Sequence, residues 1–347
     1  MIDRSERRPL LDVIDLRACF WTEDGLVRAV DGVSFRVHEG ERLGIVGESG
    51  SGKSAMASAI LGLLTPPAAE ILCGEVRLHG RDLLKLSEQE LREVRGGEIA
   101  MIFQDPITAL DPVFTIGDQL VETILLHRRV GRREARDLAI EALEGVQIPD
   151  AVRRLDAYPH QLSGGMRQRV VIAIALSCEP SLLIADEPTT ALDVTTQAQI
   201  LDLMGRLADE RGMAVILITH DLGVVAGFAD TVHVMYAGRI IECGPVDDIF
   251  RGTQHPYTSG LLGSVNRLDA AREDRLLPVR GMPPSLIQRP TGCAFHPRCD
   301  HAVARCRTDS PELAAARGDH LVACHLASQL HLAVPRPGAS PVEGDAT

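Results

Sequence analysis

Hydrophobic and polar side chains alternate near the start of the chain and later give way to continuous apolar runs. The alternation over residues 11–16 and 29–35 predicts two strands that each bury one face. Apolar runs at residues 42–46, 181–185 and 214–219 suit strands that are buried on both faces of a parallel sheet. The pattern therefore predicts two kinds of sheet in one chain.

Helical spacing dominates between about residues 105 and 178, where strand patterns fade. Residues 132–143 have the spacing of an amphipathic helix. A shorter helix is predicted over residues 54–64, ended by the prolines that follow, and residues 231–241 are typical of a hairpin that turns at Gly238. Strands and helices together predict an α/β fold with a helical subdomain at 105–178.

The composition changes after residue 245, where Pro, Arg and Cys become frequent. We interpret residues 1–245 as one large domain and residues 246–328 as a small, loop-rich C-terminal domain. Residues 329–347 are rich in Pro, Gly, Ser and Ala, which predicts a flexible tail.

The apolar strand at 42–46 runs into a glycine-rich loop that fits the phosphate-loop pattern G-x-x-x-x-G-K-[ST]. Its glycines allow successive backbone N–H groups to curl around an anion, while the final Lys and Ser point toward phosphate and Mg²⁺. A strand before the loop and a helix after it are the context that this motif requires. The predicted nucleotide-binding residues are Gly47, Glu48, Ser49, Gly50, Ser51, Gly52, Lys53 and Ser54.

Two acids, Asp186 and Glu187, follow the buried strand at 181–185. In a phosphate-loop ATPase the acid at the strand end holds Mg²⁺ together with the loop hydroxyl, here that of Ser54. We assign Asp186 to the metal and Glu187 to general-base or water-orienting work. Taken alone, an Asp-Glu pair after a strand is more often a solvated turn, so this assignment depends on the phosphate loop.

Gln104 and His220 are the other candidates for the reaction. The amide of Gln104 lies just before the helical stretch and can reach Mg²⁺ or the attacking water. His220 ends the strand at 214–219, where its imidazole can donate to the γ-phosphate in the transition state. A single His at a strand end is more often structural, and its place after Asp186 is what favours function.

Net charge, aromatic content and the length of apolar runs indicate whether the chain binds nucleic acid or spans a membrane. The formal net charge is -12 and aromatic residues make up 3%, which argues against a nucleic-acid partner. The tightest apolar run, residues 170–176, is far shorter than the roughly 20 residues needed to cross a bilayer. We therefore expect a cytosolic chain that reaches a membrane only through a partner.

Six motifs in one order resemble the nucleotide-binding subunit of ABC transporters. They are the phosphate loop, Gln104, the signature Leu-Ser-Gly-Gly at 162–165, the Asp186–Glu187 pair, the Leu-Asp dipeptide that ends at Asp193, and His220. The resemblance covers roughly residues 10–245 and departs from the family pattern at Met166, where a Gln is usual. It implies a P-loop ABC-type ATPase core: a mixed sheet, an antiparallel β subdomain and a helical subdomain.

The same resemblance implies a head-to-tail dimer. Each ATP, with its Mg²⁺, would lie between the phosphate loop of one subunit and the signature loop of the other, so that ATP selects the closed state. The residues that the resemblance adds to the nucleotide site are Phe20, against the adenine, and Ser163, Gly164, Gly165 and Asp193.

The C-terminal part is similar to that of oligopeptide, dipeptide and nickel importer ATPases. The similarity lies in residues 103–112, 255–258, 281–284, 292–299 and 322–325. It implies peptide uptake with a second ABC ATPase subunit, two transmembrane permease subunits and an extracytoplasmic substrate-binding protein, at the cytoplasmic face of the inner membrane. Nickel and glutathione remain alternative cargoes, and a soluble ABC ATPase is the rival of a different class.

Four cysteines near the end of the chain are separated by five, six and seventeen residues. All-thiolate sites suit Zn²⁺ or an iron–sulfur cluster, and the spacing alone leaves both open. The resemblance implies a [4Fe–4S] cluster of structural use, with Zn²⁺ as the alternative. The predicted ligands are Cys293, Cys299, Cys306 and Cys324.

Overall fold

The computed structural model of the chain describes residues 8–190, 192–264, 279–330 and 332. The predicted tail at 329–347 therefore lies largely outside the described residues. Within the described part of the chain, no helix is both long and apolar enough to cross a bilayer.

Twelve strands and twelve α-helices are present in the described residues. The strands are β1 (Leu11–Thr22), β2 (Gly25–Val37), β3 (Arg42–Val46), β4 (Ala69–Leu78), β5 (Arg81–Asp82), β6 (Ile99–Ile102), β7 (Leu182–Asp186), β8 (Ala214–Thr219), β9 (Thr231–Tyr236), β10 (Arg239–Pro245), β11 (Ala314–Arg317) and β12 (His320–Val322). The helices are α1 (Lys53–Ile60), α2 (Glu88–Val94), α3 (Pro106–Ala109), α4 (Ile116–His127), α5 (Arg132–Gly145), α6 (Ala151–Arg154), α7 (Gly164–Leu176), α8 (Val194–Arg211), α9 (Leu222–Phe228), α10 (Val246–Gly252), α11 (Pro256–Gly263) and α12 (Ala304–Thr308).

Two sheets form the core, as the hydrophobic pattern predicts. The first is antiparallel, with strand order β2-β1-β4-β5, and the second has the order β11-β12-β10-β9-β3-β8-β7-β6. In the second sheet β9, β3, β8, β7 and β6 pair in parallel, so their carboxyl ends meet at one edge. That edge carries the phosphate loop and both acids predicted from the sequence.

Several element boundaries differ from the predicted ones. Strands β1 and β2 extend well beyond 11–16 and 29–35, because their backbone pairing continues through register shifts that interrupt the simple alternation. Helix α1 ends at Ile60 rather than at residue 64, since Gly62 adopts a left-handed φ of 62° and its N–H bonds the carbonyl of Ala59. The hairpin that turns at Gly238 is as predicted.

The helical region packs on one face of the main sheet. Helices α4, α5 and α7 bury their apolar residues together with β6 and β7, in one continuous cluster. The antiparallel sheet and α1 pack in a second cluster on the other side of the sheet. The phosphate loop and the start of α7 therefore belong to separate packing units.

The main sheet crosses the predicted domain boundary at residue 245. Strand β12 of the C-terminal region pairs with β10, where Glu242 is fully buried beside His320 at 2.8 Å and Thr253 at 2.7 Å. Burial raises the pKa of the Glu242 carboxyl, but the hydrogen bonds from His320 and the Gln254 N–H outweigh it and hold that pKa below its usual value. The C-terminal region is thus joined to the core through a buried polar network.

Candidate nucleotide-binding and hydrolysis site

The phosphate loop connects β3 to α1 and is closely enclosed by two neighbouring strands. A Cβ atom on Gly47 would lie 2.2 Å from the carbonyl oxygen of Met235, and one on Gly52 would lie 2.1 Å from that of Ala29. Because the backbone of β2 and β9 approaches so closely, only glycine fits at these two positions. The sequence motif therefore reflects packing against the core as well as room for an anion.

Lys53 is buried at the start of α1, with 5% of its surface exposed. Its Nζ donates hydrogen bonds to the carbonyl oxygens of Gly47 at 2.7 Å and Glu48 at 3.1 Å. Burial lowers the pKa of Lys53 below its usual value, although the carboxylates of Glu187, Asp186 and Glu48 oppose the shift. The loop is thus already curled around its own ammonium group, which lies near three acids.

Asp186 ends β7 with its side chain almost fully buried. Burial raises the pKa of its carboxyl, and a hydrogen bond from Ser54 opposes that shift. Among the described residues no group hydrogen-bonds its Oδ1, although this oxygen is shielded from solvent. A buried carboxylate oxygen without a partner, beside the Ser54 hydroxyl, fits the hard oxygen ligand set that Mg²⁺ requires.

Glu187 is at the centre of the constellation that the sequence predicts. Its Oε2 accepts hydrogen bonds from Gln104 Nε2 at 3.0 Å and from Thr190 Oγ1 at 2.9 Å, while His220 Nδ1 lies 3.2 Å from its Oε1. The backbone of Glu187 has a φ of 46°, a left-handed value that residues other than glycine rarely adopt. Such strained backbone conformations cluster at functional sites. The structure therefore brings Gln104, Glu187 and His220 together.

The ionisation of Glu187 follows from these contacts. Burial raises the pKa of its carboxyl, but the hydrogen bonds from His220 and Thr190 outweigh burial, and the pKa lies below its usual value. The side chain is therefore a carboxylate at neutral pH. The sequence analysis missed the contact between Thr190 and Glu187. The sequence feature that could have indicated it is a hydroxyl residue three positions after the acid.

Ser163 and Asp193 cap the helices that follow them. Ser163 Oγ accepts the N–H of Met166 at 3.3 Å, and Asp193 accepts both the N–H and the hydroxyl of Thr196, at 3.0 and 2.7 Å. Hydrogen bonds from Thr196 hold the pKa of Asp193 below its usual value. Within the described residues these contacts stay on the same helices, so neither side chain is linked to the phosphate loop of its own chain.

Gly164, Gly165 and Phe20 are placed as follows. Gly164 and Gly165 open α7, and a Cβ on Gly165 would lie 2.9 Å from Thr196 Cγ2, so the starts of α7 and α8 pack closely. Phe20 is half-buried in β1 between Val27 of β2 and Ala69 of β4. The next residue, Trp21, is more exposed, at 56%.

The four C-terminal cysteines line one small, mostly apolar cavity of about 20 Å³, and the N–H of Cys293 bonds the carbonyl of Cys306 at 2.9 Å. Burial raises the pKa of Cys293 and Cys324, and that of Cys299 to about 11. Within the described residues, no three His, Cys, Asp or Glu side chains form a group that would hold a metal ion as they stand. The four thiols thus line the same cavity, but their present positions do not form a metal-binding group.

Solved structures with the same fold are ABC ATPase cassettes. The dimeric post-hydrolysis structure of the ATP-binding cassette MJ0796 bound to ADP and Pi is 29% identical, with a TM-score of 0.61 over 68% of this chain and 98% of that one. The cbiO1 protein of Clostridium perfringens, part of the ABC transporter complex cbiONQ, is 28% identical, with a TM-score of 0.60 over 71% and 92%. The predicted fold class is therefore confirmed.

Two family models match the chain. One, described as ABC transporter, matches residues 30–190, and the other, described as oligopeptide/dipeptide transporter, C-terminal region, matches residues 241–306. The chain therefore belongs to the ABC transporter family, in the group that carries this C-terminal region.

Curated relatives of known name are about half identical. A probable peptide ABC transporter ATP-binding protein, y4tR of Sinorhizobium fredii, is 53% identical over 91% of this chain and 94% of its own. The dipeptide transport ATP-binding protein DppD of Bacillus subtilis is 51% identical over 92% and 95%. The oligopeptide transport ATP-binding protein OppD of Mycobacterium tuberculosis is 54% identical over 91% of this chain, which spans only about half (52%) of that protein's length.

Proposed function

We propose that this chain is the ATP-hydrolysing subunit that energises peptide uptake by an ABC importer. The observation that carries the proposal is the carboxylate of Glu187, held by Gln104, Thr190 and His220 at the sheet edge that also bears the phosphate loop. Phosphoryl transfer to water requires a positioned carboxylate beside a phosphate-binding loop and beside the residues that hold Mg²⁺, here Ser54 and Asp186.

In this mechanism the loop amides and Lys53 bind the triphosphate, and Ser54 and Asp186 hold Mg²⁺, with Gln104 as a further ligand. Bound Mg²⁺ neutralises charge on the transferred phosphoryl group. Glu187 accepts the proton of the attacking water. A carboxylate has about four acceptor positions, and Gln104, Thr190 and His220 use three of those on Glu187, so its Oε1 can also accept a hydrogen bond from the attacking water. His220 is the group that donates to the γ-phosphate in the proposed mechanism.

The second half of the site comes from another ATPase subunit. The amides of Gly164 and Gly165 and the Ser163 hydroxyl, at the start of the 13-residue helix α7, suit the far side of a triphosphate. Phe20 against the adenine and Asp193 at the subunit contact complete the proposed nucleotide residues. A heterodimer with a second ABC ATPase is the form that we propose, as the C-terminal resemblance implies.

Exposed apolar side chains in the helical region support a membrane partner. Val113, Phe114 and Leu126 are 71%, 52% and 73% exposed, and the last two line an open groove of about 670 Å³ beside α4. Exposed apolar side chains that line a groove favour a protein contact. We propose that two transmembrane permease subunits dock here, at the cytoplasmic face of the inner membrane, and that an extracytoplasmic binding protein delivers the cargo.

Peptides are the cargo that the names of the relatives favour, with nickel and glutathione as alternatives. The test is Mg²⁺-dependent ATP hydrolysis by the purified chain, alone and reconstituted in vesicles with its permease subunits, second ATPase and binding protein. We expect low activity alone and stimulation by peptide-loaded binding protein in the assembly. High activity that ignores these partners would contradict the proposal and favour a soluble ABC ATPase.

We further propose that Cys293, Cys299, Cys306 and Cys324 hold a metal centre, with [4Fe–4S] preferred and Zn²⁺ as the alternative. Four thiols around one cavity are a suitable donor set for either. We expect protein purified without oxygen to contain iron and sulfide, and Cys299→Ser to lose them, whereas Cys73→Ser at an exposed position should not. Zinc in place of iron would select the alternative, and absence of both metals from the wild type would rule out the site.

A further inference from the structure

We propose that two residues of the C-terminal region, Arg298 and Tyr257, position the phosphate loop for ATP by holding Glu48. The proposal rests on the proposed function, since it requires this loop to bind ATP. It gives the C-terminal region a direct part in nucleotide affinity.

Glu48, the second residue of the loop, is bound from two directions. Its backbone N–H donates to the hydroxyl of Tyr257 at 2.9 Å. Its carboxylate accepts hydrogen bonds from both terminal nitrogens of Arg298, at 2.6 and 2.9 Å, and the side chain of Arg298 in this bidentate pair is only 5% exposed. Planar, two-point pairs of this kind fix orientation as well as charge.

Arg298 is held in place without help from Glu48. Its Nε donates to the carbonyl of Arg280 at 2.8 Å, and one terminal nitrogen donates to that of Gly281 at 3.2 Å. The guanidinium also lies over the rings of Tyr236 and Phe295, at 5.8 and 5.9 Å. The C-terminal region therefore presents a fixed cation to the phosphate loop.

The electrostatic consequence concerns the charge of the loop. An unpaired carboxylate at Glu48 would repel the triphosphate, because like charges a few ångströms apart interact strongly where solvent is partly excluded. Pairing with Arg298 cancels this charge and draws the side chain toward the C-terminal region. ATP affinity is then the quantity that depends on the pair, since neither residue contacts Glu187 in the described structure.

A second connection supports the loop from the adjoining strand. Asp31 of β2 pairs with Arg239 and with Arg289 of the C-terminal region, and the N–H of Arg28 bonds the carbonyl of Leu286 at 3.3 Å. Strand β2 also carries Ala29, whose carbonyl oxygen packs closely against Gly52 of the loop. The C-terminal region thus contacts the loop directly and also braces its wall.

The experiment is a double-mutant cycle on the full chain. ATP dissociation constants are measured by calorimetry without Mg²⁺, and KM and kcat with Mg²⁺, for Arg298→Ala, Arg298→Lys, Glu48→Gln and the Arg298→Ala/Glu48→Gln double variant. We expect Arg298→Ala to raise Kd and KM roughly tenfold with kcat nearly unchanged, and Arg298→Lys to be intermediate. Removing the carboxylate in the double variant should restore Kd to within about threefold of wild type.

Arg305→Ala, at an exposed arginine of the same region, is the matched control and should leave Kd unchanged. An unaltered Kd in Arg298→Ala would overturn the proposal. A loss that Glu48→Gln does not relieve would also overturn it, because Arg298 would then act only through the fold of its own region. The proposed function is tested separately, by peptide-stimulated ATP hydrolysis in the wild-type assembly, and that measurement does not depend on these variants.

Discussion

Replacing Glu187 with Gln should abolish ATP turnover while leaving ATP binding intact. The amide keeps the size of the side chain and still accepts hydrogen bonds from Thr190 and Gln104, but it cannot take a proton from water. General-base catalysis contributes about 10²- to 10⁴-fold, and a loss in that range is expected. In the proposed dimer with a second ATPase, ATP selects the closed state and hydrolysis releases it, so ATP-bound dimers should accumulate.

The measurement pairs steady-state ATP hydrolysis with light scattering of this chain, mixed with the proposed second ATPase subunit, at saturating ATP. Glu179→Gln makes the same chemical change at an exposed carboxylate paired with Arg128 and should behave as the wild type. Hydrolysis by Glu187→Gln at nearly the wild-type rate would show that another group activates the water. Hydrogen bonds from His220 and Thr190 hold the pKa of Glu187 below its usual value, so its protonation should not slow turnover near neutral pH.

Lys53→Ala should remove most of the affinity for nucleotide and, with it, turnover. A charge-assisted hydrogen bond is worth about 1.5–3 kcal/mol, which corresponds to roughly a 10- to 100-fold rise in Kd. The other lysine of the chain, Lys85, is exposed and paired with Asp82, so Lys85→Ala is a matched control that should bind ATP normally. An unchanged Kd in Lys53→Ala would place the triphosphate elsewhere.

The same variant should not weaken the nucleotide-free fold. Burial lowers the pKa of Lys53, so folding disfavours its charged form, and this cost offsets the hydrogen bonds that its Nζ donates to the carbonyls of Gly47 and Glu48. Thermal unfolding without ATP should therefore occur at the wild-type temperature or slightly above it. The shift that ATP gives to the wild-type melting temperature should disappear, because a ligand stabilises only the state that binds it.

Contiguous motifs were predicted well because their chemistry is local. The strand at 42–46, the glycine-rich loop and the two acids at 186 and 187 lie where the pattern placed them, since each follows directly from a buried strand. The ends of elements were predicted less well. Strands β1 and β2 are longer than their alternation, because backbone pairing with a neighbour can continue through bulges that no single-strand pattern reveals.

The division at residue 245 shows that a change of composition does not reveal how strands pair. Composition changes there, so the sequence suggests a separate C-terminal domain, but β12 joins the main sheet beside β10. A short strand of three residues has little pattern of its own, and its place depends on an edge formed much earlier in the chain. The buried pair of Glu242 and His320 was likewise invisible, because the two residues are 78 positions apart.

From the sequence alone came the predicted chemistry, namely a loop for phosphate and acids for magnesium and water, together with the order of motifs that is typical of the family. Which side chains meet became visible in the three-dimensional fold. Glu187 finds Gln104 at a separation of 83 residues, and Glu48 finds Arg298 at a separation of 250. The physical reason is that sheet order and the packing of the C-terminal region bring these residues together, and neither is encoded in a local pattern.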